Sequence, residues 1–157
     1  VPEGVPVLVR ISATDWAAGG WDLDQTIALS KVLKEHGVDV MDVSTGGIMS
    51  GVSIPVKPNY QVPFAEQVKA KADIPVTAVG LITKPKQAAK ILAHGEADAM
   101  EIGRAALRDP YWAVACSQQA GHTVHRDPLR PAIRGRCVLN PHGAVTFPWG
   151  GKTLMGR

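Results

Sequence analysis

The amino-acid sequence predicts an α/β fold: four parallel βα units that form the C-terminal half of a TIM (β/α)₈ barrel, followed by an irregular tail. Apolar runs of strand length alternate four times with segments of helical periodicity, which is typical of parallel strands covered by helices. These units occupy about 115 of the 157 residues, whereas a complete barrel takes about 250. An open parallel sheet is the alternative, but a Rossmann-type sheet would carry GxGxxG after its first strand and this chain does not.

The first unit begins with a strand at residues 5–12, which is rich in strand-forming apolar residues and bounded by proline. Asp22 is a suitable N-cap, and apolar residues at helical spacing predict a helix over 23–36 that ends at Gly37. The second strand is predicted at 38–44. A long loop rich in glycine and proline, from Thr45 to about Gln61, then precedes a helix near 64–72.

The third strand is predicted at 74–79 and leads into a turn at 80–83. Thr83 is predicted to cap the next helix, which has Pro85 in its first turn and ends at His94 and Gly95. The fourth strand is expected at 97–102, and one further helix runs from Pro110 to about residue 120. We find no periodicity beyond it, so residues 1–121 are assigned to the half barrel and 122–157 to a basic, poorly ordered tail.

The positive charge of the chain is concentrated in that tail. Residues 122–157 hold six basic residues and one acid, whereas residues 1–121 hold 11 basic and 13 acidic residues. Because the tail has neither a basic cluster nor a helical face, we expect a solvated extension and no nucleic-acid partner. Two cysteines without a CxxC pair indicate a reducing compartment, the cytoplasm, and no apolar run approaches the roughly 20 residues of a membrane span.

The segment after the fourth strand carries the strongest binding signal. Gly103 and Arg104 stand between an apolar strand and the start of a helix. Glycine lets the backbone approach a ligand, the first N–H groups of a helix bind anions, and a guanidinium group adds a two-pronged charge. The combination predicts a site for a phosphorylated ligand.

The other three strands also end in residues suited to a binding site, where barrel enzymes place their chemistry. These residues are Arg10 in the first strand, Ser44 and Gly46 after the second, and Gly80 after the third. Alternatives exist: Arg10 could form a salt bridge inside the barrel, and Gly46 and Gly80 could serve turn geometry alone. Their occurrence at equivalent strand ends favours a shared ligand site.

Four segments carry a specific family resemblance: Val9-Arg10-Ile11-Ser12, the run 37–46 (GVDVMDVSTG), the run 78–83 (AVGLIT), and the run 103–112 (GRAALRDPYW). In order and spacing they resemble the C-terminal half of the Old Yellow Enzyme family of FMN-dependent ene-reductases. The nearest likeness is to its bacterial NADPH dehydrogenase and xenobiotic reductase branch. The resemblance covers residues from about 5 to 120, and residues 131–157 match nothing in the family.

The resemblance implies FMN as cofactor and NADPH or NADH as reductant. It places Arg10 against the pyrimidine edge of the flavin, lets the backbone approach the cofactor at Gly46 and Gly80, and gives the phosphate to Gly103 and Arg104. Ser44 is also predicted to bind the cofactor. It also implies a small electron-poor alkene or quinone as substrate, and a homo-oligomeric parent.

The family's substrate-binding histidines and proton-donating tyrosine belong to the first four βα units, so no catalytic residue is assigned in this chain and the isolated half is expected to be inactive. Two alternatives stay open: a truncated, non-enzymatic fragment, or half of another phosphate-binding barrel. Cys116 is interpreted as a core thiol. No metal site is assigned, because His122 and His125 lack further ligands at useful spacing.

Overall fold

The computed structural model describes residues 1–2 and 4–119, and within these ranges four strands alternate with helices. The strands pair in parallel in the order β1-β2-β3-β4. This confirms the predicted succession of four parallel βα units, as in part of a (β/α)₈ barrel. The elements are β1 (Leu8–Ser12), α1 (Leu23–Glu35), β2 (Val40–Ser44), α2 (Val62–Ala72), β3 (Val76–Ala78), α3 (Pro85–Ala93), β4 (Ala99–Met100), α4 (Arg104–Arg108) and α5 (Trp112–Gln119).

The tail assigned to residues 122–157 lies outside the described residues, as does Cys137. In the part of the chain that is described, no helix has both the length and the apolar character that crossing a membrane requires. The thiol-bearing residue of α5, Cys116, is buried as predicted.

The two faces of the sheet differ in chemistry because alternate residues of a strand point to opposite sides. One face, here called the helix face, packs against the helices and is lined by fully buried apolar side chains: Met41, Val43, Val76 and Ala78. On the other side, strand register aligns Arg10 with Asp42 and Asp42 with Thr77. Glu101 follows β4 with the same parity as Ala99, the register partner of Thr77. We call Arg10, Asp42, Thr77 and Glu101 the polar face.

The ends of α1 follow the prediction closely. Asp22 Oδ1 accepts a hydrogen bond from the Gln25 amide at 2.9 Å, and Gln25 Oε1 accepts one from the Asp22 amide at 3.0 Å. This reciprocal capping box satisfies two amides that have no partner inside the helix. At the other end Gly37 has φ +87°, a conformation that glycine adopts at little cost.

The predicted cap of α3 is wrong. The N-cap residue is Lys84, and Thr83 lies one position before it. The side chain of Gln87, in the first turn, reaches back so that its Oε1 accepts hydrogen bonds from the amides of Thr83 and Lys84, at 3.0 Å and 3.4 Å. Because this amide side chain serves the free N–H groups, a hydroxyl cap is not needed.

The third and fourth strands are shorter than predicted. The third strand covers only Val76–Ala78, since Pro75 has no N–H to donate and Gly80 turns the chain with φ +118°. The fourth strand is reduced to Ala99–Met100. The helix that begins at Arg104 ends after five residues, because Asp109 precedes proline and adopts an extended conformation.

Candidate functional site

A cavity of about 540 Å³ lies where the four strands end. It brings together every residue that the sequence predicted as cofactor-binding, namely Arg10, Ser44, Gly46, Gly80, Gly103 and Arg104. These residues come from the ends of all four strands, so the parallel sheet is what gathers them. The volume falls in the range of about 300–1,000 Å³ that is usual for small-molecule sites.

Arg10 forms ion pairs with two carboxylates of the polar face. Its Nη1 lies 3.1 Å from Asp42 Oδ2 and 3.0 Å from Glu101 Oε2. The salt-bridge interpretation of Arg10 is therefore observed, yet 59% of its side chain stays exposed and it lines the cavity. The ion pairs hold the guanidinium group at the site without burying it.

The acid–base properties of this cluster are perturbed. Burial raises the pKa of Glu101 above its usual range, and the neighbouring Asp42 carboxyl raises it further. Arg10 acts in the opposite direction, because its positive charge favours the ionised carboxylate. The net direction is upward, so Glu101 keeps its proton to a higher pH than an ordinary glutamate.

The turn after β2 is held by hydrogen bonds between the backbone of Gly46 and residues at the end of β1 and just after it. The amide of Gly46 donates to Thr14 O at 2.8 Å, and its carbonyl accepts from Ser12 Oγ at 2.9 Å. Gly46 has φ +71°, and a Cβ atom there would lie 2.7 Å from Ile54 Cδ1. Ser44 Oγ donates to Ile11 O at 3.1 Å. The turn-geometry interpretation thus accounts for Gly46, which borders the cavity with both backbone groups already paired.

The turn after β3 is packed against the end of the long loop. A Cβ atom on Gly80 would lie 3.0 Å from the Gln61 amide nitrogen. Gln61 is buried, and its Nε2 donates to Tyr60 Oη at 2.7 Å and to Thr45 O at 3.4 Å. The hydroxyl of Thr45 is buried with no partner among the described residues. The side chains of Thr45, Tyr60 and Gln61 line the cavity, although no binding role was predicted for them.

The segment after β4 presents cations without carboxylate partners. Arg104 and Arg108 both line the cavity, and within the described residues neither forms an ion pair. A Cβ atom on Gly103 would meet nothing within 4 Å, so open space lies beside its backbone. Two uncommitted guanidinium groups next to accessible backbone suit an anionic ligand. Arg108 was not predicted; its signal is the four-residue spacing from Arg104, which places both on one side of a helix.

Metal binding finds no support in the part of the chain that is described, where no group of three or more histidine, cysteine or acidic side chains is arranged to hold an ion. His122 and His125 lie outside the described residues.

Comparison with known proteins identifies a family. The model of the NADH:flavin oxidoreductase / NADH oxidase family matches residues 1–122. A protein named NADPH dehydrogenase from Listeria monocytogenes serotype 4a is 46% identical over 119 residues, which are 76% of this chain and 35% of that protein. The NADPH dehydrogenase of Geobacillus sp. strain WCH70 is 44% identical over the same number of residues and the same shares.

This chain spans about a third of the length of the curated relatives that it matches. A solved dihydropteroate synthase from Xanthomonas albilineans, with 4-aminobenzoic acid, overlaps it with a TM-score of 0.48 and 21% identity. That alignment covers 73% of this chain and 44% of the other, a likeness too weak to bear on fold or function. The family match decides against half of an unrelated phosphate-binding barrel. The chain belongs to the NADH:flavin oxidoreductase / NADH oxidase family, the Old Yellow Enzyme family that its four segments resemble.

Proposed function

We propose that this chain is the FMN-binding part of an NAD(P)H oxidoreductase of the Old Yellow Enzyme type, an ene-reductase acting on electron-poor alkenes or quinones. One observation carries the proposal: residues from the ends of four parallel strands line a single cavity in a chain of a flavin oxidoreductase family. The parent's homo-oligomeric state and its cytoplasmic location stay predictions from the sequence.

The chemistry of the cavity fits a flavin nucleotide. Its lining includes Arg104 and Arg108, which no carboxylate neutralises in the described part of the chain, and the unpartnered hydroxyl of Thr45. A phosphate takes charge-assisted hydrogen bonds from guanidinium groups, and a flavin ring offers carbonyl and nitrogen acceptors. The open space beside Gly103 leaves room for a ligand to approach the backbone.

We assign the phosphate to Arg104 and the backbone at Gly103, with Arg108 as an additional cation. Arg10 is assigned to the ring end, where it faces the negative charge that a flavin gains on reduction. At a separation near 4 Å a unit charge pair is worth roughly 4 kcal/mol at intermediate dielectric, so Arg10 would favour the reduced cofactor appreciably. Bound FMN supplies hydride transfer between a nicotinamide and the substrate double bond.

No catalytic residue is proposed in this chain. The family's substrate-binding histidines and proton-donating tyrosine are expected in the remaining part of the barrel, so the isolated chain should bind FMN without turnover. Its residues hold the cofactor, and a complementary part holds the substrate and delivers the proton.

The test of cofactor binding is a titration of the full chain with FMN, followed by flavin fluorescence. Replacing Arg104 with alanine should weaken FMN binding by about 10–100-fold, because a hydrogen bond to a charged group is worth about 1.5–3 kcal/mol. Riboflavin lacks the phosphate, so its affinity should be equal in both proteins. Lys31→Ala removes one exposed charge from α1, outside the cavity, and should leave both affinities unchanged.

Turnover is tested by complementation. Co-expression with the part of the Listeria monocytogenes relative that this chain does not match should yield NADPH oxidation with an electron-poor alkene, and neither part alone should do so. The proposal is wrong if the chain fails to bind FMN both alone and in the complemented protein although circular dichroism shows that it is folded.

A further inference from the structure

Two carboxyl groups, those of Asp42 and Glu101, contact the same nitrogen of Arg10, and Arg10 and Glu101 line the candidate FMN site. Building on the proposed function, we infer that Asp42 and Glu101 act as a carboxylate pair that holds one proton, positions Arg10, and thereby sets the charge presented to the ring of the cofactor. Both acids are positioning residues, because they act on the cofactor through Arg10.

The geometry is specific to this fold. Arg10 lies on β1 and Asp42 is its register partner on β2, whereas Glu101 follows β4, 91 residues along the chain. The side chains of Arg10 and Glu101 meet on the polar face, although the two residues belong to the first and last strands of the sheet. Its Nη1 bridges the two acids, at 3.1 Å from Asp42 and 3.0 Å from Glu101. A single guanidinium nitrogen between two acids is held from both sides.

The charges do not balance without a proton. Asp42 is only 6% exposed, and its Oδ1 receives no hydrogen bond from any donor in the described residues. Asp42 Oδ2 and Glu101 Oε2 contact the same nitrogen of Arg10, so the two carboxyl groups are close neighbours. Two ionised carboxylates repel each other and have no hydrogen to share, whereas one proton creates a donor and leaves the pair neutral with Arg10.

The described residues that line the cavity add no acid besides Glu101. On β3 the facing group is the hydroxyl of Thr77, and the loop before α2 contributes the phenol of Tyr60. Helix α4 contributes Arg104 and Arg108, which keep their charge at every pH of interest. Among the described residues that line the cavity there is no histidine. Glu101 is therefore the one acid among the described residues that line the cavity.

Burial and the nearness of Asp42 raise the pKa of Glu101, which supports a retained proton. While the proton is present, Arg10 faces one negative charge and the cluster is neutral. Once it leaves, the cluster carries one excess negative charge at the ring end of the site. That charge opposes the anionic reduced flavin and weakens FMN binding.

The pair can be tested without cofactor by following the carboxyl ¹³C signal of Glu101 by NMR. We expect it to titrate above an ordinary glutamate in the wild-type chain, and closer to that ordinary value in Asp42→Asn. Stability gives a second readout. A group whose pKa is higher in the folded chain than in the unfolded chain stabilises the folded chain fully when the pH is below its pKa in the unfolded chain. This stabilisation is lost as the pH rises through its pKa in the folded chain. Glu101→Gln should remove that slope, whereas the exposed control Glu66→Gln should keep it.

The link to the cofactor is tested by measuring the FMN dissociation constant of wild type and Glu101→Gln from pH 5 to pH 9. Titration of the FMN phosphate affects both proteins alike, so the informative quantity is their ratio. We expect the FMN affinity of the wild type to fall by about tenfold relative to that of Glu101→Gln as the pH rises over this range. The reduction potential of the bound flavin should rise in Glu101→Gln at pH 9, a shift that a merely structural role would not produce.

The outcomes separate the two claims. If FMN binds but the ratio stays constant, or if Glu101 titrates as an ordinary glutamate, the carboxylate pair is refuted and the proposed function stands. If FMN binds to neither protein, the proposed function and the pair's role toward the cofactor both fall, even where Glu101 titrates high.

Discussion

The two faces of the sheet are built from the same strands, but they differ in whether they hold buried polar atoms without hydrogen-bond partners. On the helix face Met41, Val43 and Val76 are fully buried among apolar neighbours. On the polar face Arg10 is 59% exposed, and buried oxygen atoms of Asp42 and Thr77 have no hydrogen-bond partner in the described residues.

This difference indicates that the helix face stabilises the fold and the polar face serves binding. Apolar burial stabilises the chain on one side, at about 25 cal/mol for each Å² removed from water. Buried polar atoms without hydrogen-bond partners cost free energy, so those on the polar face do not serve the stability of the chain. Substitutions on the helix face should therefore change stability, whereas those on the polar face should change binding.

The largest expected effect is on the helix face. Met41→Ala removes a fully buried side chain and should lower the free energy of unfolding by about 2–5 kcal/mol, measured by urea denaturation. FMN affinity per folded molecule should not change. The matched control is Met49→Ala in the exposed part of the long loop, which should cost less than about 0.5 kcal/mol. Equal losses at both positions would break the comparison.

Gly80→Ala should have an intermediate effect on the free energy of unfolding and should also weaken FMN binding. Its φ of +118° is unfavourable for alanine, and the new Cβ would lie 3.0 Å from the Gln61 amide nitrogen. We expect a loss of about 1–3 kcal/mol in unfolding free energy. Gly95→Ala provides the control, since φ is +72° there but no atom lies within 4 Å of the new Cβ, so its cost should be about 1 kcal/mol. A neutral Gly80→Ala would contradict the close packing of this turn.

The smallest effect is expected at Thr77. Its hydroxyl is buried without a partner among the described residues, so Thr77→Val should leave stability unchanged or raise it by up to about 1 kcal/mol. Thr26→Val is the contrast. Thr26 Oγ1 accepts from Trp21 Nε1 at 2.6 Å and donates to Ala13 O at 3.1 Å, so its removal should cost about 1–3 kcal/mol. If Thr77→Val costs as much as Thr26→Val, the polar face is better satisfied than described.

Local signals predicted much of the fold from the sequence. The N-cap Asp22 and the glycine after α1 lie next to the helix that they delimit, so their pattern is readable directly, whereas the reciprocal bond from Gln25 was not predicted. The gathering of Arg10, Gly80 and Arg104 in one cavity also followed, because parallel strands bring their carboxyl ends to one edge of a sheet.

Long-range and side-chain details could not be predicted in the same way. The contact between Arg10 and Glu101 spans 91 residues and depends on strand register, which apolar patterning leaves open. A charged residue at the end of an apolar strand was the available signal for Glu101. The role of Gln61 depends on how a long loop folds back against Gly80, and no periodicity encodes that. The length of β3 was overestimated because Pro75 and Gly80 limit its hydrogen-bonded ladder.

The most direct test of FMN binding in the cavity where the four strands end is a map of the amide NMR shifts that change when FMN is added to the ¹⁵N-labelled chain. The account predicts that the largest shifts occur at Arg10, Ser44, Gly46, Gly80, Gly103 and Arg104. Riboflavin should perturb all of these except Gly103 and Arg104. Shifts concentrated on the outer helices, or equal shifts from FMN and riboflavin at Gly103 and Arg104, would contradict it.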